Sequence, residues 1–144
     1  MNSYPISTLT IGQTDYYQKT ITAEDIESFS RISGDNNPLH LDDAAAIQAR
    51  FKGRLAHGVL VAGLTSKVLG TQLPGVGTIY LGQQLKFVKP VYVGDTIRAV
   101  VTVAEINVDK NIVKLTTQSF NQDQQLVIEG VATVMPPKIA VVNI

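Results

Sequence analysis

One segment limits what this chain can become. Residues 58–69, Gly-Val-Leu-Val-Ala-Gly-Leu-Thr-Ser-Lys-Val-Leu, are apolar nearly all round, and a helix of that kind is buried on most of its sides. The partner that can bury it follows in the chain. From Gly77 the apolar period changes to two, with Ile79, Leu81, Leu85 and Phe87 on one face and Gln83 interrupting them. Pro90 ends that strand. Residues 96–106, 112–120 and 126–135 are rich in β-branched side chains and read as three more strands, joined by short loops at Asp109-Lys110-Asn111 and 121–124. Consecutive strands on short loops make an antiparallel meander. Its apolar face needs a cover, and residues 58–69 are the only segment greasy enough to supply one. The predicted class is therefore α+β, with helices on one face of the sheet.

The first third of the chain is read from caps and breakers. Residues 14–21 suit an edge strand, with Tyr16, Tyr17 and Ile21 fitting a pleated surface. Thr22 is placed to cap a helix over residues 23–32, whose Glu24 and Asp25 favour the positive end of the helix dipole. Ile26, Phe29 and Ile32 fall at helical spacing, and Gly34 ends the helix. Asp42 or Asp43 caps a second short helix over residues 44–51, which is rich in alanine.

Between these two helices lies Ser33-Gly34-Asp35-Asn36-Asn37-Pro38-Leu39-His40. Gly34 and Pro38 break regular structure, and Pro38 pushes Asn37 towards an extended backbone. The octet is therefore expected to be a non-helical loop. It presents a carboxylate and an imidazole five residues apart, a pair able to share a water and move protons near neutral pH. The same residues would also serve an ordinary turn, with Asp35 capping backbone N–H groups and His40 packed and satisfied.

The octet resembles the Gly-Asp-x-Asn-Pro-x-His signature of the MaoC-like dehydratases, the family of (R)-specific enoyl-CoA hydratases. Ala56-His57-Gly58 resembles that family's His-Gly element, Leu73-Pro74-Gly75 the approach to its long strand, and Phe87-Val88-Lys89-Pro90-Val91-Tyr92-Val93-Gly94-Asp95 its Phe-x-x-Pro-Val-x-x-Gly-Asp element. The likeness covers roughly residues 22–135. It implies a single hotdog domain over 1–144, a curved antiparallel sheet wrapped on a central helix. It also implies reversible syn hydration of a trans-2-enoyl thioester to the (R)-3-hydroxyacyl thioester. Asp35 and His40 would be the catalytic dyad, with the proton donor to C2 left open between them. Gly58 would offer its backbone N–H to the thioester oxygen at a helix tip, and Asn37 and Ser66 would border the substrate. His57 is the rival histidine, read as structural or as support for the dyad.

Lys52, Arg54, Lys86 and Lys89 are candidates for the phosphates of coenzyme A, which enters only as part of the substrate. No other cofactor and no metal is expected. A hotdog thioesterase and a non-catalytic acyl-CoA-binding module remain the alternatives. Composition narrows the partners. Among 144 residues, twelve basic side chains balance twelve acidic ones, so there is no basic field for nucleic acid or an anionic membrane. There is no cysteine, hence no thiolate nucleophile or Cys-based zinc site. The first residues lack a charged and then apolar leader, so a cytoplasmic protein is expected. The exposed sheet edge of one hotdog unit predicts a homodimer.

Overall fold

The computed structural model describes residues 1–142. A short 3-10 turn at Ile6–Thr8 precedes strand β1, Thr14–Thr20. Helices α1 (Ala23–Ser33), α2 (Pro38–Leu41), α3 (Asp43–Gln48) and α4 (Gly58–Thr71) follow, then strands β2 (Ile79–Phe87), β3 (Thr96–Asn107), β4 (Ile112–Phe120) and β5 (Leu126–Met135). The strands form one antiparallel sheet in the order β1-β3-β4-β5-β2. Register shifts at Tyr80/Gly82, Val103/Glu105 and Ser119/Phe120 mark bulges, which bend strands and increase their twist. The helix-then-meander order implied the α+β class, and the arrangement is the hotdog that the family resemblance implied.

Helix α4 lies along the sheet and organises two apolar clusters. Its first half sets Val61 and Leu64 against Ile97, Ala99 and Ile128. Its second half sets Val68 and Leu69 against Val101, Val103, Leu115 and Val134. The two clusters fix its direction, with Gly58 near the Phe87 end of β2 and Thr71 towards the Ile79 end. Burial of a Leu, Ile or Val side chain contributes about 1.5–3 kcal/mol, so this seam carries much of the fold.

Three expectations change. The octet is not wholly irregular: residues 38–41 form one helical turn with Asn37 as its cap. Proline at the first helical position loses nothing, because that N–H has no intrahelical acceptor anyway. The second predicted helix, 44–51, is shorter and ends at Gln48. Arg50 adopts a positive φ of 71°, which turns the chain out of the helix. Ile32, expected on the buried face of α1, is 85% exposed. It sits in the last turn, beyond the contacts made by Ile26 and Ser30.

The greasy helix is not enclosed all round either. Val59 is 62% exposed, and Gly63, Ser66 and Gly70 continue an open stripe. Beside it, β2 is exposed along nearly its whole length, including Leu81, Leu85 and Phe87. No helix among the described residues is long and apolar enough to cross a membrane.

Candidate active site

The site begins where α1 stops. Gly34 takes the left-handed conformation (φ 80°) and caps the helix by donating its N–H to Ser30 O, a conformation glycine adopts without strain. Three polar side chains then bind the backbone two residues on. Ser33 Oγ accepts from Asp35 N–H, Asp35 Oδ1 from Asn37 N–H and Asn37 Oδ1 from Leu39 N–H, each at 3.1 Å. Such turns hold a loop without regular structure. They deliver the chain into α2, whose one turn lifts His40.

His40 is fixed from three sides. Its Nδ1 lies 2.7 Å from Leu55 O. A carbonyl only accepts, so Nδ1 carries the hydrogen, and a neutral ring keeps its lone pair on Nε2. Arg54 Nε donates to His40 O at 2.8 Å. The His57 ring stacks on the His40 ring, with centroids 3.8 Å apart and 29° between planes. The receiving segment, residues 54–56, is itself pinned, since Leu55 N–H donates to Leu39 O and Ala56 N–H to Val91 O.

The carboxylate of Asp35 and ring nitrogens of His40 and His57 lie within 4.8 Å of one another. Groups at that separation can bind one water between them. They are also of the types that ligate metals, but each ring has one nitrogen occupied by a backbone carbonyl, at Leu55 and at Asp35. That pattern suits proton handling on the one free nitrogen of His40.

Gly58 opens α4. The first backbone bond of that helix is Val61 N–H to His57 O at 3.2 Å, so the N–H groups of Gly58, Val59 and Leu60 stand ahead of the ladder and carry the positive end of its dipole. The absence of a side chain at Gly58 is required: a Cβ there would lie 2.6 Å from the Phe87 ring. Gly58, His40, Phe51, Leu55, Val59 and Phe87 border an apolar cavity of about 420 Å³. An oxygen bound at this helix tip would therefore sit beside an acyl-sized space, near the histidine.

Of the expected residues, Asp35 and His40 are brought together, and His40 and Gly58 border one cavity. Asn37 holds the loop, its side-chain oxygen capping α2. Ser66 lies apart, exposed and eight residues along α4 from Gly58, about 12 Å at the helical rise. Among the phosphate candidates, Arg54 is already engaged, binding His40 O and pairing with Glu27 at 3.6 Å. Lys52, Lys86 and Lys89 are exposed, and Lys52 and Lys89 border a groove of about 600 Å³ next to the apolar cavity. The sequence did not flag Leu55 O or Phe87. The first is a backbone group with no signature, whereas the second falls on the inward face of β2 by its period of two.

The chain is similar to known proteins over most of its length. The family described as MaoC like domain matches residues 8–124. An (R)-specific enoyl-CoA hydratase of Aeromonas caviae is 45% identical over 90% of this chain and 96% of its own. A protein of the same description from Rhodospirillum rubrum is 47% identical over 88% of this chain and 87% of its own. The solved structure of an unliganded R-hydratase from Pseudomonas aeruginosa superposes with a TM-score of 0.92 at 41% identity, covering 99% of this chain and 92% of that one.

Proposed function

The chain belongs to the MaoC-like dehydratase family, and from that premise we propose that it is an (R)-specific enoyl-CoA hydratase, a lyase that adds water reversibly to a trans-2-enoyl-CoA. The observation that carries the reading is the approach of Asp35 and His40 within 4.8 Å, with His40 bordering an apolar cavity that Gly58, at the tip of α4, also borders.

In this reading the thioester oxygen takes the N–H of Gly58, so the charge that develops there in the enolate-like transition state meets an unpaired donor. That polarisation makes C3 electrophilic. Water held between Asp35 and His40 adds its oxygen to C3 and gives a proton to the dyad. His40 Nε2 is the free lone pair, because Nδ1–H is committed to Leu55 O. The dyad returns a proton to C2 from the same face, which gives syn addition, and dehydration retraces the steps. The acyl chain occupies the cavity lined by Phe51, Leu55, Val59 and Phe87. The phosphates of coenzyme A lie in the groove at Lys52 and Lys89.

A second copy of the chain completes the site. The exposed residues of β2 and the open stripe of α4 adjoin each other and the cavity mouth, and pairing sheet edges would cover both. The proposed form is a cytoplasmic homodimer. Light scattering on the purified protein should return twice the chain mass, and a monomer at micromolar concentration would reject it.

Loss of the enone absorbance of crotonyl-CoA measures the reaction. Asp35→Ala and His40→Ala should each lower the rate at least about a hundredfold, the usual scale for a general acid–base group. Turnover near wild type in both variants would reject the dyad.

A further inference from the structure

His57 is the buried ionisable group that the hydration step above does not use. It is 3% exposed and occupies the cap position of α4, yet its side chain makes no cap bond to that helix. The ring instead reaches back across the site. Nε2 lies 3.1 Å from the backbone carbonyl of Asp35, one face stacks on His40, and Phe29 of α1 packs against it at 4.8 Å and 54°. Nδ1 is buried with no hydrogen-bond partner among the described residues.

These contacts fix the ring's chemistry. The carbonyl of Asp35 can only accept, so Nε2 must carry hydrogen. A second proton on Nδ1 would bury an N–H bond with no acceptor among the described residues, which is unfavourable, the more so for a charged donor. It would also place a cation against the face of His40, which must itself take up a proton during turnover. The groups facing His57 are Asp35 from the loop, His40 from α2 and uncharged Phe29 from α1; the first turn of α4 has no acidic residue. Asp35 is thus the one anion facing the ring, and its carboxylate is exposed.

We propose that His57 is a positioning residue for the dyad. It is held as the neutral Nε2–H tautomer, donates to the Asp35 peptide and gives the His40 ring an uncharged surface to stack on. One ring thereby sets the placement of both members: Asp35 through its backbone, His40 through its ring. The inference rests on the dyad reading of the reaction.

Two substitutions separate the donor from simple packing. His57→Phe keeps a ring and removes the donor. His57→Gln puts an amide N–H near the place of Nε2 and removes the ring. Misplacement of a reacting group by about 1 Å, or loss of a residue that orients one, costs roughly 10–100-fold. His57→Phe should therefore lower kcat by roughly 10–100-fold while KM for crotonyl-CoA stays within about threefold. His57→Gln should return kcat to within about tenfold of wild type. Nitrogen-15 NMR of the histidine side chains in the wild-type protein gives a readout independent of turnover and of any variant's folding. His57 should show the neutral Nε2–H tautomer in the resting protein under the assay conditions. The Nδ1–H tautomer at His57, or wild-type kcat in a folded His57→Phe protein, would overturn the proposal. If His40→Ala keeps full turnover, the dyad reading fails, while the tautomer of His57 is still decided by NMR.

Discussion

The chain contains the dipeptide Gly-Asp twice in turns, at 34–35 and at 94–95, and the two have opposite fates. Both glycines have positive φ, 80° and 92°, and at neither would an added Cβ meet an atom within 4 Å. Conformation, not space, selects glycine at each. The aspartates then diverge. Asp95 Oδ2 accepts from Tyr92 N–H at 2.9 Å and Oδ1 from Gln122 Nε2 at 2.9 Å. The same turn is joined to the start of α1, with Gly94 N–H donating to Ile21 O and Ile21 N–H to Asp95 O, both at 2.8 Å. Both carboxylate oxygens of Asp95 are thus occupied in joining strands and loops. Asp35 spends one oxygen on Asn37 N–H, and the rest of the carboxylate faces His40 and His57. The same dipeptide gives a structural clamp in one place and, in the other, an exposed carboxylate beside two imidazoles. The difference lies in which donors the rest of the fold brings up.

That contrast can be broken by matched substitutions. Asp35→Asn keeps an oxygen for Asn37 N–H and removes the proton acceptor. Hydration should fall at least about a hundredfold, with stability within about 0.5 kcal/mol of wild type, as for an exposed residue. Asp95→Ala should do the reverse. Losing two hydrogen bonds at a half-buried turn costs about 1–3 kcal/mol, read as a lower urea midpoint at unchanged slope, while turnover per folded molecule stays near wild type. If Asp95→Ala abolishes turnover in folded protein, the two turns are not separable in the way described.

The same contrast explains what could be read from the sequence. Strands β3, β4 and β5 were legible because period two, β-branched residues and short loops agree. Helix α4 was legible because no other segment could cover them. Asp35 and His40 stand out as candidates because they lie in one contiguous motif, and the fold brings their side chains within 4.8 Å of each other. The helical turn at residues 38–41 is not legible because proline breaks a helix interior yet is tolerated at its first position. The placement of β2 beside β5 had no local signal, since register between distant strands is settled by packing. Arg54 is one of four candidates for phosphate, and its bond to the carbonyl of His40 has no mark in the sequence. Arg54 and His57 hold residues 40 and 35 through their backbone carbonyls. Every residue has such a group, so composition and spacing carry no trace of it.

A third aspartate sharpens the comparison at smaller amplitude. Asp25 closes a capping box on α1: its Oδ2 accepts from Thr22 N–H at 3.0 Å, and its own N–H donates to Thr22 Oγ1 at 3.1 Å. The Thr22 backbone bond holds the Asp25 carboxyl below the usual aspartate value of 3.8, and Lys19 Nζ, 3.0 Å away, lowers it further, against a smaller opposing effect of burial. A pKa depressed by folding means that the ionised form favours the folded state. The contribution is therefore complete above about pH 3.8 and fades as pH falls through the lower, folded value. Caps of this kind contribute about 1 kcal/mol, and the exposure of this one argues for the lower end. Thermal midpoints of wild type and Asp25→Ala should thus differ by a few degrees at neutral pH and converge as pH falls below 3.8 and through the lower, folded value. A gap that stays constant through that fall would show that the side chain acts by shape alone. Asp25 would then not belong with Asp95 among the carboxylates whose charge the fold has put to structural use.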